Sequence, residues 1–459
     1  MVTLMSFSEL GLCPELLRAI ERAGYSSPSP IQAKSIPEGL EGRDVLAAAQ
    51  TGTGKTAGFA LPILQRLAAA NRPAQARRPR ALILTPTREL AAQVGEVVEQ
   101  FGKAFETPIT STVVFGGVNA NPQISALGKG VDVLVACPGR LLDLIGQKAV
   151  ALDGVETLVL DEADRMLDMG FIHDIKKLMK LVPSKRQTLL FSATFSSEIR
   201  TLATGFLTNP IEIDVTPRNS TARTVDQSVY HVEKSAKAAA LIHLITSRDW
   251  DQVLVFTATK HMANKVTYSL QQAGLTAAAI HGNKSQNART QALSGFKEKS
   301  ITALVATDVA ARGIDINQLP QVVNFELPAT PADYVHRIGR TGRAGAEGQA
   351  ISLVDREEQD LLRRIEKLIK SNLPETDMSD FDIVRAKTQF PLLNPPRGPK
   401  PQRKKPAQGS GKPSGGGRSS NASSEARTDE PKKPSRRRRG GRGNRGNGGN
   451  SGNSGSGAR

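Results

Sequence analysis

Five short apolar runs punctuate the first half of the chain: Asp44-Val45-Leu46-Ala47, Ala81-Leu82-Ile83-Leu84, Val131-Asp132-Val133-Leu134-Val135, Thr157-Leu158-Val159-Leu160 and Thr188-Leu189-Leu190-Phe191. Segments of helical character, such as Arg88 to Glu99, lie between them. A strand that is apolar on both of its faces must be covered on both faces, so this alternation predicts an α/β fold with a parallel sheet between layers of helices. The pattern returns with a different sequence at Gln252-Val253-Leu254-Val255-Phe256, Thr276 to Ile280, Thr302-Ala303-Leu304-Val305 and Val322-Val323-Asn324-Phe325. The chain therefore reads as two α/β domains, residues 1–210 and 225–370. A polar linker over 211–224 would let them open and close. A helical segment near Glu357 to Ile369 is expected to end the second domain, followed by an extension over 371–394.

From Pro395 onward the composition changes to Gly, Pro, Ser, Asn, Arg and Lys, with no aromatic or aliphatic cluster. Such a segment cannot bury enough apolar surface to fold, so residues 395–459 are expected to be disordered. The chain's formal charge of +17 is concentrated there. The tail carries 17 basic and three acidic residues, a net +14, which leaves 44 basic and 41 acidic residues before it, a net +3. The two cysteines, Cys13 and Cys137, form no disulfide framework or zinc pattern and fit a reducing, cytoplasmic setting. No basic segment followed by an apolar stretch opens the chain, and no apolar run approaches the length of a membrane span, so neither a leader nor a membrane partner is expected.

Open parallel sheets bind ligands at the carboxyl ends of their strands. The first strand runs directly into Ala49-Gln50-Thr51-Gly52-Thr53-Gly54-Lys55-Thr56. The glycines let backbone N–H groups wrap phosphates, Lys55 can reach the β- and γ-phosphates, and Thr56 can hold Mg²⁺. Ala49 stands where the strict phosphate-loop pattern has glycine. A later strand ends in Asp161-Glu162-Ala163-Asp164. There Asp161 can hold the same Mg²⁺, and Glu162 can take a proton from the attacking water. Alone, the acidic turn would read as solvated surface; the loop upstream argues for ATP and Mg²⁺.

These residues, with others in order along 7–345, resemble the DEAD-box RNA helicases. The resemblance implies two tandem RecA-like domains. Phe7 and Gly24-Tyr25-Ser26-Ser27-Pro28-Ser29-Pro30-Ile31-Gln32 are similar to the adenine-reading Q motif, with Gln32 on the adenine edge and Tyr25 on the ring. Ser192-Ala193-Thr194 resembles the motif that couples hydrolysis to unwinding through Asp164. In the second domain, Arg312-Gly313-Ile314-Asp315 resembles the motif that places Asp315 on the ribose. His336-Arg337-Ile338-Gly339-Arg340-Thr341-Gly342-Arg343 resembles the motif in which Arg340 and Arg343 reach the γ-phosphate and His336 bridges to the acids. An arginine delivered to the transition state is worth roughly 10³–10⁵ in rate, and supplying it from another domain makes hydrolysis depend on closure.

Further stretches resemble the family's RNA contacts: Pro86-Thr87-Arg88, Gly116-Gly117 and Pro138-Gly139-Arg140 in the first domain, and Thr259, Gln286 with Arg289, Thr307-Asp308 and Arg312 in the second. Each is an ordinary turn or surface group by itself; their order and spacing carry the resemblance. Glycine backbones, hydroxyls and arginines suit phosphate oxygens, which predicts sequence-independent gripping of single strands and short duplexes. Cys137 stands where the family usually has Thr, and either a weakened phosphate contact or a small buried residue fits there. In the tail, Arg436 to Arg439 leads into Gly440-Gly441-Arg442-Gly443-Asn444-Arg445, similar to arginine-glycine segments that hold RNA. No aromatic follows Phe390, so that grip should be electrostatic and salt-sensitive. Two compact domains with a basic tail look most like the bacterial RhlE-type subgroup.

The expected activity is ATP-dependent local unwinding and remodelling of RNA, with ribosomal precursors or RNA-decay enzymes as candidate partners. Two other readings stay open at this point. One is an RNA annealer or scaffold acting mainly through its tail; the other is a DNA translocase, since phosphate gripping alone does not separate RNA from DNA.

Overall fold

A computed structural model describes residues 5–49, 52–215, 225–311, 319–342, 348–378 and 381–396. The expected disordered tail beyond residue 396 and the linker residues 216–224 lie outside the described residues.

The first sheet has seven strands: β1 (Val45–Ala48), β2 (Ala81–Leu84), β3 (Ser111–Val114), β4 (Val133–Ala136), β5 (Thr157–Leu160), β6 (Gln187–Ser192) and β7 (Ile211–Asp214). They lie in the order β3-β4-β2-β5-β6-β1-β7, and every pairing is parallel. The second sheet has six: β8 (Val225–His231), β9 (Val253–Thr257), β10 (Ala277–Ile280), β11 (Ala303–Thr307), β12 (Gln321–Asn324) and β13 (Gly348–Val354). Their order is β10-β11-β9-β12-β13-β8, again all parallel.

Helices α1 (Pro14–Arg22), α2 (Pro30–Leu40), α3 (Lys55–Ala69), α4 (Arg88–Gly102), α5 (Asn121–Lys129), α6 (Pro138–Gly146), α7 (Ala163–Asp168), α8 (Ile172–Met179) and α9 (Ser197–Phe206) cover the first sheet. Helices α10 (Lys237–Ser247), α11 (Lys260–Gln272), α12 (Gln286–Lys297), α13 (Asp308–Ala311), α14 (Pro331–Ile338), α15 (Gln359–Ile369) and α16 (Ile383–Gln389) belong to the second lobe. The period of two in a strand divides the first lobe's core into two layers. Val45, Ala47, Ile83, Val135 and Phe191 pack with Leu16, Phe59, Leu64 and Val98, while Leu46, Leu82, Leu134, Leu158 and Leu190 pack with Leu141, Met166, Ile175 and Ile199. This double burial is the reason β1, β2 and β4 are apolar throughout and β5 and β6 are apolar over Leu158-Val159-Leu160 and Leu189-Leu190-Phe191. Both sheets are thus parallel-stranded and RecA-like, as expected.

Two boundaries differ from the sequence reading. Residues 211–214, assigned to the linker, form edge strand β7 beside β1. Their alternation Ile211-Glu212-Ile213-Asp214 is that of a half-buried edge, which a search for continuous apolar runs passes over. The buried Asp44 carboxylate fixes this corner by accepting the backbone N–H groups of Thr188 and Thr208, both at 2.7 Å.

The second lobe also does not end with α15. Residues 373–378 and 381–393 run back over it as a strap. Val229 and the strap exchange two backbone bonds, Val229 N–H to Pro374 O and Thr376 N–H to Val229 O, each 2.8 Å. Leu373 is buried, the Phe381 and His243 rings lie 5.2 Å apart, Lys387 pairs with Glu233, and the Leu393 N–H donates to Ser269 Oγ at 2.8 Å. A chain ending at Pro396 should therefore keep the full protein's melting temperature. One ending at Lys370 loses burial and hydrogen bonds worth on the order of 3 kcal/mol. Thermal melting should show a drop of roughly 10 °C in the second-lobe transition.

Candidate functional site

β1 delivers the chain to the phosphate loop through Ala49, which is buried and whose N–H donates to Ser192 O at 3.0 Å. Gln50 and Thr51 lie outside the described residues. Gly52 and Gly54 then adopt φ of +81° and +84°, a region that penalises any side chain. A Cβ on Gly54 would stand 2.3 Å from Gln32 Nε2. α3 starts at Lys55 with no side-chain cap, so its first-turn N–H groups and positive dipole end face the loop around Thr53 and Thr56. Gln32 is locked beneath. Its Nε2 donates to Gly54 O at 3.0 Å and its Oε1 accepts the Ser29 N–H at 2.9 Å, which leaves the carboxamide one N–H and one lone pair for an adenine edge. Phe7 meets Tyr25 edge-on at 6.3 Å, and Tyr25 packs against Phe101 on its other side at 6.2 Å.

β5 carries the acids in from two strands away. Asp161 is buried and accepts the Glu162 N–H at 3.0 Å. Burial pushes its carboxyl up to about 7; the Lys55 ammonium pulls it down, while Glu162 and Asp164 push further up. Glu162 holds φ +53°, ψ +52°, a left-handed conformation rarely tolerated outside functional turns. Lys55 Nζ, Glu162 Oε2 and Asp164 Oδ1 are all buried and make no hydrogen bond. Such atoms cost free energy unless a partner of the right sign meets them. A Mg²⁺–nucleoside triphosphate would supply such partners: phosphate oxygens for Lys55 and a cation for the acids. Among the described residues no group of three or more His, Cys, Asp or Glu forms a self-contained metal cage. One carboxylate, one hydroxyl and phosphate oxygens make a donor set that suits Mg²⁺. The link from the acids to Ser192-Ala193-Thr194 runs through backbone: the Ala193 N–H reaches Asp164 Oδ2 at 3.4 Å, and the Thr194 N–H reaches Ser192 Oγ at 3.3 Å.

The second lobe presents α14 to this region. Its residues His336 and Arg337, with Arg340 just beyond, line a groove shared with Arg165 of the first lobe. Arg340 is buried; Arg343 and Asp315 lie outside the described residues. Arg337 anchors the helix to its own lobe. It grips both Asp308 oxygens at 2.6 and 2.7 Å, reaches Asn324 Oδ1 at 3.0 Å and Glu326 O at 2.6 Å, and lies 4.9 Å over the Phe256 ring.

Known proteins share this arrangement. A family profile for DEAD/DEAH box helicases matches residues 29–202, and one for the helicase conserved C-terminal domain matches residues 236–345. The ATP-dependent RNA helicase CshA of Limosilactobacillus reuteri is 44% identical over 366 residues, covering 80% of this chain and 72% of its own length. CshA of Listeria monocytogenes is 42% identical over 82% of this chain and 71% of its own. Among solved structures, S. cerevisiae Dbp5 bound to RNA and ADP BeF3 matches with a TM-score of 0.72 at 34% identity, over 84% of this chain and 99% of that one. The chain belongs to the DEAD-box ATP-dependent RNA helicases.

In this DEAD-box helicase several residues expected at RNA also have partners within the protein. Asp308 pairs with Arg337 of its own lobe. Gln286 and Arg289 turn to the buried Glu89 of α4 across the lobes: Gln286 Nε2 donates to Glu89 Oε1 at 3.0 Å, and Arg289 Nη2 lies 2.8 Å from Glu89 Oε2. Arg140 braces the 116–118 loop, donating to Gln123 Oε1 at 3.1 Å and Val118 O at 3.0 Å. Arg88 lies over Gly117, where a Cβ would meet its guanidinium at 2.0 Å, so this glycine is required by close approach. Thr87 and Thr259 accept N–H groups at the starts of α4 and α11, at 3.3 and 3.1 Å. Pro86 is buried and Pro138 opens α6, while Gly116 and Gly139 have open space where a side chain would be, and Thr307 ends β11 half-buried. Arg312 lies outside the described residues. The partnerships of Glu89 with Arg289 and of Arg165 with Asp333 were not anticipated; both join residues far apart in sequence, and no local spacing signals them.

Cys137 resolves to the small buried residue. It is 8% exposed, packs in the α1–α4 face of the core, and caps α6 without a side-chain bond. Burial pushes its thiol up to about 12. The raised value keeps it protonated at pH 8, with a thiolate fraction on the order of 10⁻⁴. Alkylation at pH 8 followed by mass spectrometry should leave Cys137 unmodified in the native protein and label it fully after denaturation.

Proposed function

We propose that the chain is an RNA-stimulated ATPase that opens short RNA duplexes locally and remodels RNA or RNA–protein complexes. The observation that carries this reading is the set of buried, unbonded charges at the strand tips of the first lobe, Lys55 with Glu162 and Asp164 around Asp161, beside the arginine-bearing α14 of the second. Gln32, Tyr25 and Phe7 hold the adenine, and Gln50 to Thr56 the phosphates. Thr56 and Asp161 hold Mg²⁺, which neutralises charge on the phosphate oxygens. Glu162 accepts the proton of the attacking water, and Arg340 and Arg343, with His336, complete the site from the second lobe. Asp164, Ser192 and Thr194 relay the state of the γ-phosphate. RNA lies along the strand-tip edge, on Arg88, the Gly116-Gly117 turn, the Thr87 and Thr259 helix starts, and Thr307.

The basic tail adds an electrostatic hold on RNA that needs no particular sequence. A cytoplasmic setting and substrates in ribosome assembly or RNA decay fit this chemistry. The RhlE-type arrangement is supported by architecture, two compact lobes and a basic tail, while the relatives found carry the names CshA and DeaD.

Hydrolysis should rise strongly with single-stranded RNA, rise less with DNA of the same sequence if the 2′-OH is used, and fall by roughly 10²–10⁴-fold in Glu162→Gln. An RNA-independent rate unchanged by that substitution would sink the proposal. Truncation after Asn394 should leave the rate at saturating RNA intact while raising the RNA concentration needed to reach it, most of all at low salt. A truncated protein with no hydrolysis at saturating RNA would contradict this division of labour.

A further inference from the structure

Arg165 follows Asp164 directly, yet its side chain belongs to neither the nucleotide charges nor the first-lobe core. It is 3% exposed, and its Nη1 makes no hydrogen bond. Among the described residues, the ion-pair partner of its guanidinium is Asp333 of the second lobe, with Nη1 to Oδ1 at 3.6 Å. Asp333 lies in the first turn of α14, where a carboxylate also suits the helix dipole. Asp333, His336 and Arg337 at i, i+3 and i+4 share one face of α14, and Arg340, just beyond its end, lines the same groove. Arg337 fastens that face to its own lobe through Asp308, Asn324 and Glu326 O.

We infer that the Arg165–Asp333 pair is a closure latch that registers α14 against the acidic strand tip, so that His336 and Arg340 are aimed when the lobes meet. Arg165 and Asp333 are positioning residues; neither touches the nucleotide. The inference rests on the proposed function, in which the second lobe completes the ATP site. The physical basis is the burial. A guanidinium inside a low-dielectric contact is tolerated only with a carboxylate beside it, so closure in any other register strands the charge. In separated lobes both groups are hydrated, and their loss costs nothing there. The latch therefore biases the closed state alone, and its removal lowers the closed population at a given RNA concentration.

The test compares wild type, Arg165→Met, Asp333→Asn, the double variant and Asp333→Glu in the full-length protein. Three readouts are taken: RNA-stimulated ATPase against RNA concentration, affinity for a fluorescent ATP analogue without RNA, and thermal melting. Each single neutralisation should raise the RNA concentration for half-maximal stimulation at least tenfold. Nucleotide affinity without RNA and the melting temperature should stay at wild-type values. Asp333→Glu should recover most of the RNA response, and the double variant should fall well short of the product of the two single effects. Half-maximal RNA concentrations at the wild-type value in both single variants, or a double variant equal to that product, would overturn the latch. Wild-type protein without RNA stimulation would instead overturn the underlying functional reading.

Discussion

Every strand in both sheets runs in the same direction as its neighbours, and the rest of the molecule follows from that. A parallel sheet gathers the carboxyl ends of its strands along one edge, where polar loops can face a ligand without disturbing the apolar layers behind. In the first lobe this places the loop after β1, the acids after β5 and the Ser-Ala-Thr turn after β6 side by side, because β5, β6 and β1 are consecutive in the sheet although far apart in sequence. In the second lobe the corresponding edge carries α13 after β11, and Arg337 of α14 packs onto it through Asp308 and Asn324.

Three buried arginines show how the two edges are held. Arg337 is satisfied inside its own lobe, by Asp308, Asn324 and a backbone carbonyl. Arg289 and Arg165 are paired across the lobes, with Glu89 and Asp333. Ion pairs of this kind add little net stability, because desolvation consumes most of the Coulomb gain. Their effect is on register: a displaced lobe leaves a buried charge without its partner, so the interface favours one arrangement. In the proposed mechanism this register would bring the lysine and acids of one lobe to the arginines of the other.

The central strands were legible because burial on both faces gives each a continuous apolar run, and the phosphate loop was legible because glycines at positive φ, a lysine and a helix start leave a local trace. Edge strand β7 was not, since an exposed edge needs an apolar residue only at every second position. The strap over 373–378 and 381–393 escaped for a related reason: its contacts come from single residues, Leu373, Phe381 and Lys387, too sparse to show a period. Among the site residues the sequence identified the charges but not always their partners. Asp308 pairs with Arg337, and Gln286 and Arg289 with Glu89, partners that no local spacing signals. Gln32 was assigned to adenine alone, and it also holds the phosphate loop through Gly54.

The proposed ATP site is two half-sites, each incomplete without the other. The most direct measurement places one fluorescent dye on each lobe of the full-length protein and records interlobe transfer together with ATP turnover, with nucleotide alone, RNA alone and both. The account predicts a high-transfer, closed state populated only with nucleotide and RNA together, and turnover that rises in proportion to that population. Full-rate hydrolysis by molecules whose lobes remain apart would contradict it.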